Sequence, residues 1–558
     1  MLARKFNLNI NAIGFASLFG VLSLSTSLFA ADRTTFFLPL AADAMPGPIP
    51  PGAVFADQAF GETASNGWKA YLQLWKAHHA TPSNTSIRTY LGLPLKDELS
   101  FASKRGRSAP SWMNWAPGSY QQIDTPHFTV YSHADEAANQ RIAEDLERCY
   151  WVWTQMFFPM WEANLQVEST LSGLQQQDVG EFLSVKNPRI TIRRKLRVVL
   201  FRDAAEYQQT LAPEIPGIER STGFYNDDKQ TTFLYASGND DISTRRHELV
   251  HQLFREATRS TLGRRKPAED AGFWIIEGIA GYFESLRMQG ALGTVGGWDS
   301  SRLQFARYRV LVHQDMMPIS ELRADGRLAA QQRQDIARWY AHAIAQTHHL
   351  LDSGEVKQRI AVYQLLNQRY AAKAKIAGGS IDPGIEQRLQ RFLSIDDTVI
   401  KANPAQQPLN ELCLAACQVS SDAVNQIPPS SSLNWLDLTR LPVVNDDVRR
   451  LVPDPGKLEQ LTLEMTKVDA GLGEWLAGAT ALRELDLSHT PMDDAVLKSV
   501  VSATNLEVLW MTGTKISDRS IDVIAAMPKL QMVNVQQSEI SPAGVARLQA
   551  ARPNLKIN

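Results

Sequence analysis

Cysteine is scarce: Cys149, Cys413 and Cys417 are the three in 558 residues. An odd, widely spaced set cannot form the disulfide framework that staples small exported domains. Charge of one sign is not in excess either. Lys and Arg number 57 against 59 Asp and Glu, a formal net charge of −2, so composition gives no support to the basic face of a nucleic-acid binder. Beyond residue 30 no stretch of similar length lacks charge, which leaves no later candidate for a membrane span. The 44% hydrophobic and 21% charged content is that of globular domains, and the length predicts roughly three or four units.

The first thirty residues stand apart. Arg4 and Lys5 precede an uncharged run over 10–29, which ends at Ala30-Ala31 before Asp32. A basic head, an apolar middle and a small-residue end are the parts of a secretory signal peptide. The run approaches the roughly 20 residues that span a bilayer, so an uncleaved anchor is the alternative. Ser17, Ser23, Ser25, Thr26 and Ser27 weigh against it. The expectation is a secreted or periplasmic protein with no membrane span once residues 1–30 are removed.

Residues 31–120 read as irregular, with Pro46, Pro48, Pro50 and Pro51 in a loop and one short helix over 68–78. From about 125 the pattern becomes globular. HFTVYS at 127–132 alternates like a strand, 137–158 has a helical period, and LRVVLF at 196–201 reads as a buried strand. Two more strands, 223–225 and 231–235, flank the turn Asn226-Asp227-Asp228, and helices dominate from 243 to about 392. Strands followed by helices predict an α+β unit over 121–402.

Residues 403–558 carry a repeat. L-x-x-L-x-L begins at Leu409, Leu433, Leu458, Leu482, Leu506 and Leu530, with a fragment at Leu555, in steps of 24 or 25 residues. That is the leucine-rich repeat period, one short strand and one return segment per unit, and it predicts an α/β solenoid. Cys417 falls on the position that takes asparagine or cysteine, where later units have Thr466, Thr490, Thr514 and Ser538. It is expected to be small and buried. Cys413 is expected on the concave side, because side chains alternate along a strand, and a 413–417 disulfide is not expected. Asp437, Thr462, Asp486, Trp510 and Asn534 form one concave column, and Glu411, Trp435, Gln460 and Glu484 the next. Such a face suits a protein partner.

The chemistry lies at His247-Glu248-Leu249-Val250-His251. Histidines at i and i+4 share a helix face and can bind one zinc ion through ring nitrogens. Glu248 projects beside them and can take a proton from a water that the metal has acidified. A second apolar helix follows, and its Glu277 lies 26 residues after His251. A lone carboxylate there would cost several kcal/mol unless paired or metal-bound. Three protein ligands leave a fourth zinc position open, as catalysis requires.

HELVH at 247–251 followed by WIIEGIAGYFE at 274–284 resembles the gluzincin metallopeptidases, the thermolysin-like superfamily. It is most similar to secreted bacterial peptidase-like families with an HExxH helix and a W-x-x-E-G-x-A-x-Y-F-E helix. The resemblance implies a zincin-like metallopeptidase domain with Zn2+ on His247, His251 and Glu277, Glu248 as the catalytic base, and a peptide or protein substrate. It also implies an edge strand that aligns the substrate, a place given to 231–235. There are two departures. Arg245 stands where zinc peptidases usually have an uncharged residue, and Gly281 where thermolysin-like enzymes have an aspartate supporting a metal-binding histidine. Asp270 and Glu284 are the candidates for that support. Tyr340 is the candidate donor to the reaction's oxyanion, with packing as the plainer role for it and for Trp339. His348 and His349 read as structural. A competing reading is a catalytically silent zinc domain in a leucine-rich repeat binding or adhesion protein. A purely structural zinc is weaker, because it would fill all four positions with protein ligands.

Overall fold

Six strands make the first sheet: β1 (Ser103–Arg105), β2 (Gln121–Asp124), β3 (Phe128–Ser132), β4 (Leu196–Phe201), β5 (Gly223–Asn226) and β6 (Thr231–Tyr235). The computed structural model describes residues 36–39, 54–55, 60, 62, 64–95, 99–174, 178–236, 242–289, 292–402 and 409–558. The apolar segment over 1–30 and the proline-rich stretch over 46–51 lie outside the described residues. The spatial order is β1-β2-β3-β4-β6-β5. β3, β4 and β6 run parallel, and β5 closes the sheet antiparallel to β6. β4 buries four residues in succession from Val198 to Phe201, as a central strand covered on both faces does.

One expectation fails here. The strand over 231–235 is not an edge: β6 is paired on both sides. The hairpin through 226–230 folds β5 to the outside, so β5 holds the free edge.

The helices that matter are α1 (Glu136–Met156), α2 (Ile242–Leu262), α3 (Trp274–Phe283), α4 (Ser301–Arg307), α5 (Ile336–Asp352) and α6 (Val356–Tyr370). α1 starts where Asp135 caps the Ala138 N–H. α3 is buried at every residue. α1, α2, α3, α5 and α6 share one core with the sheet, and two further helices, Asn66–Ala80 and Thr85–Leu91, join it through Trp68, Tyr71, Trp75 and Tyr90. Residues 66–91 are therefore not irregular. Their aromatic side chains carry them into the core, where the Trp68 indole N–H donates to the Gln155 carbonyl at 2.7 Å.

α2 is tied to α1 by charge. Arg245 Nε lies 3.2 Å from Asp145 Oδ2, and Arg246 Nη2 lies 2.6 Å from Asp145 Oδ1. Burial would raise the Asp145 pKa, but Arg246 and Arg245 outweigh it and hold the carboxyl below its usual range. Breaking such a buried pair typically costs about 3–5 kcal/mol. Arg245 is thus an anchor behind the helix, and its charge is spent away from the candidate site.

The repeating leucines build a seven-stranded parallel sheet in chain order: β7 (Glu411–Cys413), β8 (Trp435–Asp437), β9 (Gln460–Thr462), β10 (Glu484–Asp486), β11 (Val508–Trp510), β12 (Met532–Asn534) and β13 (Lys556–Ile557). Leu412, Leu436, Leu461, Leu485, Leu509, Val533 and Ile557 stand in register. Each turn after a strand has one residue at positive φ: Ala416, Arg440, Met465, His489, Gly513 and Gln537, between 54° and 65°. Threonine and serine serve the turn for a local reason. The Thr466 hydroxyl donates to the Leu463 carbonyl at 2.7 Å, Thr514 to Met511 at 2.8 Å, and Ser538 to Val535 at 2.6 Å.

All three cysteines are free and buried. Cys413 is nevertheless not on an open surface. α4 lies over it, with the Cys413 N–H donating to Gln304 Oε1 at 3.0 Å and Arg307 Nη1 donating to the Cys413 carbonyl at 2.9 Å. Tyr308 packs edge-on against Trp435 at 5.6 Å between centroids. The first two strands of the concave face are thus covered by the chain itself. Among the described residues no helix is long and apolar enough to cross a membrane.

The covered face predicts a pH effect. Asp437 is 1% exposed. Burial pushes its pKa up from 3.8 to about 6, against the lowering pull of hydrogen bonds from Thr439. The folded value lies above the unfolded one, so the folded state holds the proton more tightly and stability falls as pH rises through about 6. Asp437→Asn is expected to raise the apparent Tm at about pH 8 by a few degrees and to flatten its decline between about pH 4 and 6. Thermal melts of both proteins across that range check it. A variant that melts at or below the parent at high pH would count against the buried charge.

Candidate metal centre

His247, His251 and Arg255 are four residues apart along α2, so they share a face, each about 6 Å beyond the last along the axis. α3 crosses that face and supplies Glu277. His247 Nε2 lies 3.3 Å from Glu277 Oε2, and His251 Nε2 lies 3.6 Å from Glu277 Oε1. One ligand atom from each of the three residues lies within 4.8 Å of the others. Zinc bonds to nitrogen and oxygen are about 2.0–2.2 Å, so atoms this close can surround one ion. Burial is an independent sign of fit. Glu277 is 5% exposed on an otherwise apolar helix, and its carboxylate faces the two imidazoles and the Tyr340 hydroxyl.

A second carboxylate supports the first histidine. His247 Nδ1 lies 2.9 Å from Glu284 Oε1, which frees Nε2 for a metal. Arg302 grips Glu284 in turn, Nε to Oε2 at 2.6 Å and Nη2 to Oε1 at 3.1 Å. Glu284 therefore fills the role sought for Gly281. A Cβ on residue 281 would lie 2.3 Å from Ile344 Cδ1, so an aspartate there would have to displace the Ile344 side chain of α5. Asp270, the other candidate, is exposed and takes no part.

Electrostatics divides the roles. Burial alone would lower the His247 pKa, but Glu277 and Glu284 push it up to about 10. A proton and a metal ion therefore compete for the same Nε2. Burial works against ionised Glu277 and Glu284; His251 and His247 overcome it for Glu277, and Arg302 and His247 hold Glu284 at about 2. Glu248 differs. Burial raises its pKa, and the lowering effect of His247, His251 and the Tyr225 N–H does not cancel the rise. The Tyr225 N–H, on β5, donates to Glu248 Oε2 at 3.0 Å.

These groups open on a cleft of about 600 Å³ lined by β5, His247, His251, Glu277, Glu248, Tyr340 and Tyr370. Tyr340 stands in the second turn of α5, with its hydroxyl bonded to Glu277 and its pKa raised by burial and then by Glu277 and Glu248. Trp339 is in the core, stacked on Phe273. His348 and His349 are also buried away from the cleft. His348 shares Asp352 with Tyr282, and His349 packs on Phe392. Sequence reasoning missed Arg302, Arg255 and Tyr370. Of these, Arg255 had a signal, its spacing of four from His251.

Residues 241–371 match the model of a family described as a protein of unknown function, DUF1570. The matched segment runs from α2 to just beyond α6 and so contains His247, His251, Glu277 and Glu284. No curated protein matches the chain. Among similar solved structures is a leucine-rich repeat protein of Leptospira interrogans, 20% identical, with a TM-score of 0.22. The likeness covers 27% of this chain and only 37% of that one.

Glu284→Ala is expected to weaken zinc binding about 10–100-fold, because His247 loses the partner that sets its ring. Competition with a chelator of known affinity measures this. Unchanged affinity would mean that Glu284 serves Arg302 alone.

Proposed function

We propose that the chain is an exported zinc-dependent peptidase, with a zincin-like domain of gluzincin type followed by a leucine-rich repeat solenoid. One observation carries the reading. Three donor atoms converge within 4.8 Å, while a further carboxylate, Glu248, stands beside them and is not needed as a ligand. His247, His251 and Glu277 would hold the ion and leave a position for water and substrate. Zinc, when bound, supplies Lewis acidity to a water and to a substrate carbonyl.

The chain's own residues do the rest. Burial gives Glu248 a raised proton affinity, which suits a base that accepts a proton from the attacking water and returns it to the leaving amine. The Tyr225 N–H fixes that carboxylate against β5. Tyr340 keeps its proton, since burial and Glu277 raise its pKa, and it can donate to the oxyanion. The free edge of β5 can align an extended peptide as one more strand. The repeats offer the uncovered part of their concave face, around Gln460, Glu484 and Trp510, to a protein partner or substrate.

The test compares the purified parent with Glu248→Gln for bound zinc and for cleavage of a broad peptide library, with and without chelator. Zinc in both is expected, with cleavage in the parent alone and at least about a 1,000-fold loss in the variant. No zinc in either removes the site assignment. Zinc without cleavage in the parent favours a silent binding domain. Tyr340→Phe should lower kcat about 100–1,000-fold with KM little changed, as steady-state kinetics will show. A loss confined to KM, or to folding, would return Tyr340 to a packing role.

A further inference from the structure

Beyond His251 the metal-bearing face of α2 continues to Arg255, about one helical turn further on. Arg255 is 2% exposed and lines the cleft. Its Nη2 donates to the Gly263 carbonyl at 2.6 Å and its Nε lies 2.8 Å from Asp227 Oδ1. Its Nη1 is buried with no partner among the described residues. A buried donor left unpaired costs about 1–3 kcal/mol, more when charged, so it marks a place where an acceptor is missing.

A second guanidinium faces the same space. Arg327 lines the cleft and lies over the Phe273 ring at 4.5 Å. Its Nε is likewise buried without a partner. Its backbone is held rigidly. The Arg327 N–H donates to the Ala268 carbonyl at 3.1 Å, and the Phe273 N–H to the Asp325 carbonyl at 2.9 Å. Gly326 permits that contact, since a Cβ there would lie 2.2 Å from the Glu269 carbonyl oxygen. The Tyr370 hydroxyl is within electrostatic reach of Arg327, Glu277 and Arg255, which places both arginines beside the ligand set. Lys266 adds a third cation at the exposed wall. Asp227, the acid nearest to Arg255, is taken up by Arg255 and Arg259.

We infer that this basic wall is a specificity pocket for a carboxylate of the substrate, received by Arg327 and Arg255 next to the metal centre. The inference rests on the peptidase reading and names its substrate class: peptides with a carboxylate close to the scissile bond. That carboxylate can be the free C-terminus of a short peptide or the side chain of Asp or Glu. A planar guanidinium with free N–H groups suits either, through paired charge-assisted hydrogen bonds.

The experiment measures binding to the zinc-loaded Glu248→Gln protein, so that it needs no turnover. Fluorescent peptides would be compared in matched pairs: free against amidated C-terminus, and Asp or Glu against Asn or Gln. The expected result is about 10–100-fold tighter binding for one carboxylate arm, and the arm that responds identifies the source. Adding Arg327→Gln should remove most of that preference. Arg327→Lys should restore part of it, and Arg327→Glu should reverse it towards Lys-bearing peptides. Equal affinity across both pairs, or a preference that survives Arg327→Gln in a folded, zinc-loaded protein, overturns the pocket and leaves the peptidase reading intact. A clear preference without cleavage by the parent keeps the pocket and removes the peptidase.

Discussion

The structure around the cleft follows from the burial of one carboxylate. Glu277 sits on a helix with no exposed residue, where an uncompensated charge would cost several kcal/mol. The two imidazoles of α2 compensate it only if α2 keeps its distance and rotation. Asp145 holds α2 from behind through Arg245 and Arg246. Gly281 lets α5 close on the opposite side and bring Tyr340 to Glu277. Four helices are thus committed to one charge, and the cleft is what remains between them and β5.

The same electrostatics extends to the repeats. Arg302 holds Glu284, which sets His247, and its charge also pulls against the burial that raises the Glu411 pKa. Glu411 lies on β7, the first repeat strand. One guanidinium therefore joins the outer support of the candidate metal site to the start of the solenoid. Charge at that end of the concave face belongs to the environment of the cleft.

Local periodicity made much of this readable. The spacing of His247 and His251 places them on one face whatever the rest of the chain does, and the leucine period fixes which residues share a column. Glu277 was legible because a carboxylate among Trp, Ile and Ala needs a partner. What periodicity cannot show is which distant element comes to lie alongside. Glu284 and Asp270 were equal candidates until the direction of His247 Nδ1 decided between them. The order of β5 and β6 depends on which side the hairpin turns to, which local spacing does not fix. Cys413 and Asp437 sit at correctly read positions, yet they are buried, because α4 and Tyr308 arrive from about a hundred residues away.

Arg307 has a consequence for how the solenoid comes apart. Its guanidinium donates to the carbonyls of Leu393, Cys413 and Trp298 and to Gln304 Oε1, and it is fully buried. A stack of repeats held only by neighbours would fray from either end with equal ease. Here the β7 end is locked into the preceding domain, while β13 ends the sheet with a single neighbour. Within the described repeats, loss of structure is thereby given a direction: it starts at β13 and runs back towards the cleft, with the repeats nearest the candidate metal centre the last to open.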